Sequence, residues 1–159
     1  TERFSKIGSL PKLVESDIVK ETQDAFDYLK RRSSKLIHFS FNSKVNHLSV
    51  LLNSSLYNWT IENLVKNGID AMRGKGSIAI EIVPDGKYVN ILIADTGHGI
   101  PKSNYNSIFT PGFTSKKRGW GLGLSLVKRI VEEYHDGKIK VLSSGKEGTI
   151  MQISLKVSH

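Results

Sequence analysis

SSLYNWTIENLVKNGIDAM, residues 54–72, reads as a helix. Ile61, Leu64, Val65, Gly68 and Met72 recur at helical spacing and form an apolar stripe, and Gly74 and Gly76 end the pattern. Asn63, Lys66, Asn67 and Asp70 fall on the opposite side. Asn63 and Asn67 stand one turn apart, with side chains roughly 6 Å from each other. Carboxamide oxygens are hard, neutral ligands suited to Mg²⁺, which keeps several waters and is bridged by substrate phosphates. Lys66 and Asp70 are placed to meet a phosphate and a metal-bound water. A solvated polar face would show the same pattern, so the pair gains meaning only from its surroundings.

Downstream, Ser77–Val83 and Lys87–Ala94 alternate as strands around the turn Pro84-Asp85-Gly86. The stretch from Asp95 to Gly121 is rich in Gly, Pro, Ser and Asn and is too long for an ordinary connection, which points to function. Leu122–Tyr134 is an amphipathic helix, and Lys138–Ser143 and Thr149–Val157 close the chain as strands around Gly145-Lys146-Glu147-Gly148. Upstream, a helix runs from Ser16 to Arg32 with Ser16 or Asp17 as cap, followed by strands at Lys35–Phe41 and His47–Leu52. Residues 1–16 are polar, broken by Gly8 and Pro11, and read as a connector or the end of a preceding helix. The order predicts an α+β fold: a two-layer sandwich with a mixed, mostly antiparallel sheet of about five strands against about three helices.

Two further boxes carry chemistry. Asp95-Thr96-Gly97-His98-Gly99-Ile100 follows a strand, so the carboxylate of Asp95 can accept from an exocyclic amine while Gly97 and Gly99 let backbone approach a flat ring. A plain glycine turn is the alternative. Gly119-Trp120-Gly121-Leu122-Gly123-Leu124 opens a helix and turns backbone N–H groups towards an anion. It is neither a Walker loop nor a dinucleotide fingerprint, because the glycine spacing differs and no Gly-Lys-Ser/Thr follows. Thr114-Ser115-Lys116 just upstream suits a triphosphate tail, and Phe109 and Phe113 are candidate core anchors of the loop.

Together these segments resemble the GHKL ATPases (the Bergerat-type ATP-binding fold), and within them the catalytic and ATP-binding domain of sensor histidine kinases. Glu62–Ala71 resembles the N box, Asp95–Ile100 the first glycine box, Ile108–Lys116 the F box and Gly119–Leu124 the second glycine box; Glu147-Gly148-Thr149 is similar to the turn whose Thr helps hold adenine. The resemblance implies ATP and Mg²⁺ as ligands. Asp95 then receives the adenine amine and Asn67 ligates Mg²⁺. Asn63 and Lys66 approach the phosphates or the metal shell, the backbone of Gly119, Gly121 and Gly123 flanks the triphosphate, and Lys116 meets its tail. Phe113, Trp120, Leu122, Leu124 and Ile100 complete the lining, and Ile100–Trp120 becomes an ATP lid.

The implied organisation is the tail of a dimerisation helix over 1–16, where Arg3-Phe4-Ser5-Lys6 resembles the usual helix exit, and the catalytic domain over 17–159. Gly68 departs from the Ala usual in the family, at about 1 kcal/mol in a helix, and the lid is short. Gyrase-type relatives place a water-activating Glu where Asn63 stands, so phosphotransfer is expected over hydrolysis. None of His38, His47, His98, His135 and His159 has the context of a phosphoacceptor, and they are expected at surface or strand positions. The partners implied are dimerisation and phosphoacceptor helices outside this chain and, through them, a response regulator. The parent is then a homodimer, often membrane-anchored, with this domain facing the cytoplasm. A non-catalytic nucleotide-binding module and a GHKL serine kinase of anti-sigma-factor type are the alternatives.

The composition agrees. The chain has 159 residues, no cysteine and a net charge of +8, with 38% hydrophobic residues. The missing cysteines exclude disulfide staples and thiolate metal sites. Its basic residues are scattered without interleaved aromatics, so neither nucleic acid nor direct membrane contact is expected. The first residue is Thr, which reads as a piece of a longer protein.

Overall fold

The computed structural model describes residues 10–111 and 123–158. Helix α1 (Ile18–Arg32) buries Ile18, Val19, Thr22, Phe26 and Leu29. Of the two candidate caps the structure uses Asp17, whose Oδ1 accepts from Val19 N at 3.1 Å and from Leu48 N at 3.2 Å. His47 Nδ1 lies 3.0 Å from the other carboxylate oxygen. Backbone hydrogen bonds and the neighbouring imidazole hold the Asp17 carboxyl below its usual range, against the opposing effect of burial.

Helix α2 (Ser54–Ala71) starts at Asn53, whose Oδ1 accepts from Leu56 N at 3.1 Å. The expected stripe is its buried face: Ile61, Leu64, Val65 and Gly68 lie in the core, joined by Leu56, Tyr57 and Thr60. The helix ends one residue sooner than its glycines suggest, because Arg73 itself turns left-handed at φ 57° before Gly74 at φ 90°.

Strands β2 (Ile37–Ser43), β4 (Gly76–Asp85), β5 (Tyr88–Asp95), β7 (Gly148–Lys156) and β6 (Lys138–Gly145) form one sheet in that spatial order. Only β2–β4 is parallel; the other three pairings are antiparallel. Alternate residues of the central strands, Ile78, Ile80 and Ile82 with Val89, Ile91 and Ile93, are buried at 2% exposure or less. Each such side chain contributes about 1.5–3 kcal/mol relative to exposure. This is the predicted two-layer α+β sandwich. Pro84 belongs to β4 rather than to the turn: it lies beyond Ile82, the last residue paired to β2, so its missing N–H faces no ladder on that side.

Two features differ from expectation. Val14–Asp17, which begins inside the stretch 1–16 read as a connector, is a strand (β1) paired antiparallel with β3 (Ser49–Leu52) in a separate two-stranded sheet. The last helix also changes pitch: α3 (Gly123–Arg129) continues as a π turn over Ile130–Tyr134. His135 N reaches back five residues to Ile130 O at 3.1 Å, and Asp136 then turns left-handed at φ 55°. Among the described residues no helix is long and apolar enough to cross a membrane.

Candidate functional site

Asp95 is the last residue of β5, with Ile78 of β4 on one flank and Thr149 of β7 on the other. Its Oδ1 accepts from Gly97 N at 2.8 Å, and the Thr149 backbone also donates to the carboxylate. Burial pushes the Asp95 carboxyl up, while these two N–H groups and the nearby His98 oppose the shift. Gly68 of α2 packs closely against it. A Cβ there would lie 3.0 Å from Asp95 Cβ, 3.2 Å from its Oδ2 and 3.0 Å from Ile78 Cδ1. The missing Cβ at Gly68 lets the helix lie close to the carboxylate.

The loop after Asp95 is stitched to its surroundings. His98 N donates to Ala71 O at 3.2 Å, at the end of α2, and Thr96 Oγ1 accepts from Ser77 N at 3.0 Å. A Cβ on Gly97 would press on Ala71 at 2.6 Å. Gly148 is the tightest point: at φ 127°, its hypothetical Cβ would fall 1.8 Å from the Asp95 carbonyl oxygen. Thr149 is 5% exposed and shares a 2.8 Å hydrogen bond with Ser144 Oγ, which in turn accepts from Ile100 N at 2.6 Å. Tyr105 OH donates to Ser144 O at 3.4 Å. Ser144 thus joins Ile100, Thr149 and Tyr105. Sequence reasoning missed it, because a serine late in a strand carries no signal; the irregular register between Val141 and Ser143, which re-aims it, appears only in the ladder.

On α2, Asn63 and Asn67 are both half-buried on one face. Asn63 Nδ2 donates to Trp59 O at 3.0 Å, which leaves Oδ1 as the outward group. That oxygen lies 3.3 Å from where a Gly123 Cβ would stand, so the first turn of α3, with Gly123 and Leu124, abuts the asparagine face. Lys66 is paired with Glu62 at 2.7 Å, with side chains 62% and 41% exposed. An exposed pair of this kind is worth well under about 1 kcal/mol, so it leaves Lys66 free to exchange partners. Asp70 is exposed on the same helix. Phe109 is buried, as expected for a loop anchor, with Ile108 buried beside it and Lys128 Nζ 5.8 Å from the Phe109 ring.

Phe113, Thr114, Ser115, Lys116, Gly119, Trp120, Gly121 and Leu122 lie outside the described residues, as do Arg3–Lys6 and His159. Among the described residues no group of three His, Cys, Asp or Glu could hold a metal. The donor set beside α3 is neutral carboxamide oxygen. This fits Mg²⁺ only where phosphate and water supply the remaining ligands.

One expectation fails. His135, read as a surface or strand residue, is 8% exposed and sits at the end of the π turn. Its Nε2 faces Asn53 N at 3.1 Å and its Nδ1 faces Ile130 O at 3.0 Å. The π turn ends on this residue, with His135 N and Nδ1 both turned to Ile130 O.

A family model described as Histidine kinase-, DNA gyrase B-, and HSP90-like ATPase matches residues 55–159. Sensor histidine kinase ZraS of Escherichia coli (strain K12) is 40% identical over 96 residues, covering 60% of this chain and 20% of that protein. Sporulation kinase C of Bacillus subtilis (strain 168) is 36% identical over 93 residues, covering 58% and 22%. The chain therefore spans about a fifth of the length of these relatives. Among solved structures, the nucleotide-free catalytic domain of histidine kinase ThkA superposes with a TM-score of 0.83 at 27% identity, over 91% of this chain and 95% of that one. A second structure holds ThkA in complex with the response regulator protein TrrA, at TM-score 0.79 and 25% identity, over 91% and 41%.

Proposed function

This chain belongs to the family of histidine kinase-, DNA gyrase B-, and HSP90-like ATPases, and from that premise we propose that it binds ATP with Mg²⁺ and supplies the γ-phosphoryl group for phosphorylation of a histidine on helices outside it. The observation that carries the reading is Asp95. Its carboxylate is set in a half-buried slot, one oxygen is held by Gly97 N, and the approach of Gly68 keeps the other close to α2. A fixed acceptor of this kind suits an exocyclic amine, and the adjoining loop of Gly97, Gly99 and Ile100 suits a flat ring.

The phosphate side is supported by the meeting of α2 and α3. Asn63 Oδ1 and the first turn of α3 face each other there, and the N–H groups that open α3 favour anions. Asn67, with Asn63 beside it, would hold Mg²⁺, which when bound neutralises charge on the phosphate oxygens. Asn63 cannot take a proton from water, and Glu62 lies about 100° round the helix from it. The γ-phosphorus is therefore left for an imidazole nitrogen brought from outside: the N–P bond forms, the bond to the bridging oxygen breaks, and ADP leaves. In this reading Lys116, Thr114 and Ser115 steady the triphosphate tail, and residues 100–120 act as a lid. The phosphorylated histidine would then serve a response regulator, the class of partner that ThkA holds in its complex with TrrA. We place the domain on the cytoplasmic side of its parent.

Incubating the chain with labelled ATP–Mg²⁺ and phosphoacceptor helices in trans is expected to yield acid-labile phosphohistidine, with negligible phosphate release by the chain alone. Asn67→Ala is expected to abolish the label. ATP binding without any phosphohistidine, or rapid hydrolysis indifferent to Asn67→Ala, overturns the kinase reading.

A further inference from the structure

We propose that His135 is a positioning residue for the nucleotide site: a neutral-imidazole latch that holds α3 in place against α2. The inference rests on the ATP-binding reading of the Asn63–Gly123 junction. The two helices run antiparallel. Gly123, at the start of α3, abuts Asn63 in the third turn of α2, and His135, at the other end, reaches Asn53 ahead of α2. Contacts at both ends set the gap into which the phosphates must fit, and His135 is the polar one.

The ring's protonation state follows from its partners. The Ile130 carbonyl can only accept, so Nδ1 carries the hydrogen; the Asn53 N–H can only donate, so Nε2 presents its lone pair. Asn53 N–H is one of the groups that a helix leaves without an internal partner at its start. A second proton on the ring would set N–H against N–H and release α2 from the π turn. Burial opposes that proton, and the Ile130 carbonyl favours it less strongly.

Among the described residues no charged side chain pairs with the ring. Asp136 is taken by Lys156 at 2.8 Å, and Glu132 accepts from Ile139 N at 3.3 Å. Lys138 is exposed, and Lys12 presents its carbonyl to Asn53 Nδ2 at 3.1 Å. The first turn of α2 carries no acidic residue. The latch is therefore set by hydrogen-bond geometry in an apolar environment.

The test uses the whole chain and three forms of it. His135→Leu removes the acceptor, and His135→Gln offers an amide oxygen in place of Nε2 that does not titrate. With all forms folded by circular dichroism at low temperature, His135→Leu is expected to weaken ATP–Mg²⁺ binding about five- to tenfold, in the range of ordinary coupling between sites, and His135→Gln to restore most of it. Because burial holds the ring below the ordinary imidazole range near about pH 6.5, wild-type affinity should fall relative to His135→Gln only on acidification below that value, and His135→Gln controls for titration of ATP itself. Independently, the ¹⁵N shifts of His135 should report the Nδ1–H neutral form. Equal affinities for the folded Leu and wild-type forms, parallel pH profiles, or an Nε2–H ring would overturn the latch. If the wild type binds no nucleotide, the functional reading fails and the positioning role falls with it, while the ¹⁵N shifts still decide whether the latch itself exists.

Discussion

Replacing Asp95 by Asn should move stability and binding in opposite directions. The carboxylate is pushed up by burial, so the folded state holds a proton more tightly than the unfolded chain does. For a carboxyl raised in this way, the ionised form costs stability at neutral pH, and that cost fades as pH falls towards the unfolded value. Asp95→Asn removes the charge and keeps an oxygen for Gly97 N, so the nucleotide-free chain should melt no lower than wild type near neutral pH. Any advantage should shrink on acidification towards about pH 4. ATP binding should suffer. A hydrogen bond to a charged acceptor contributes about 1.5–3 kcal/mol, and each 1.4 kcal/mol is a factor of ten, so affinity should fall roughly ten- to a hundred-and-fifty-fold. Calorimetric titration with ATP and thermal melts of both forms decide it. An Asp95→Asn chain that binds ATP within about twofold of wild type would refute the assignment of this carboxylate to the adenine amine.

Three further substitutions test the frame around that carboxylate and its loop. Gly148→Ala puts a Cβ 1.8 Å from the Asp95 carbonyl oxygen, so it should cost more than about 4 kcal/mol. Gly74→Ala, with nothing within 4 Å of its Cβ despite φ 90°, should cost only the backbone penalty of about 1–2 kcal/mol; equal thermal midpoints for the two would disprove the close approach. Ser144→Ala frees the Ile100 N–H and should lower the midpoint by roughly 1–6 °C, given about 0.5–1.5 kcal/mol for a neutral hydrogen bond. Amide exchange at Ile100 should quicken; unchanged protection there would remove Ser144 from the loop.

Much of this arrangement was legible because period and composition report burial directly. The stripe Ile61–Leu64–Val65–Gly68 could only be a helix with one face in the core, and alternation over Ile78–Ile82 and Val89–Ile93 could only be strands. Asn63, Asn67 and Asp95 stand out as candidates because their side chains carry chemistry at readable spacing. What escaped notice depended on backbone detail that residue types do not encode. Ser144 functions through an irregular register, His135 through a π turn, and Val14–Asp17 through pairing with a strand more than thirty residues away in the chain. The reason for Gly68 was equally hidden, since a helix glycine advertises weakness and only the distance to Asp95 shows what it admits.

Asn53 has a consequence as a mechanical junction. Its side-chain amide grips the Lys12 carbonyl, its side-chain oxygen starts α2, and its backbone N–H is held by the ring that terminates the π turn. A few residues on, Asp17 ends β1 and begins α1 while gripping Leu48. A displacement of the chain at residues 12–17 therefore loads the starting ends of both long helices together. Torque arriving there would be delivered to the floor of the site through α2, with no need to pass through the sheet.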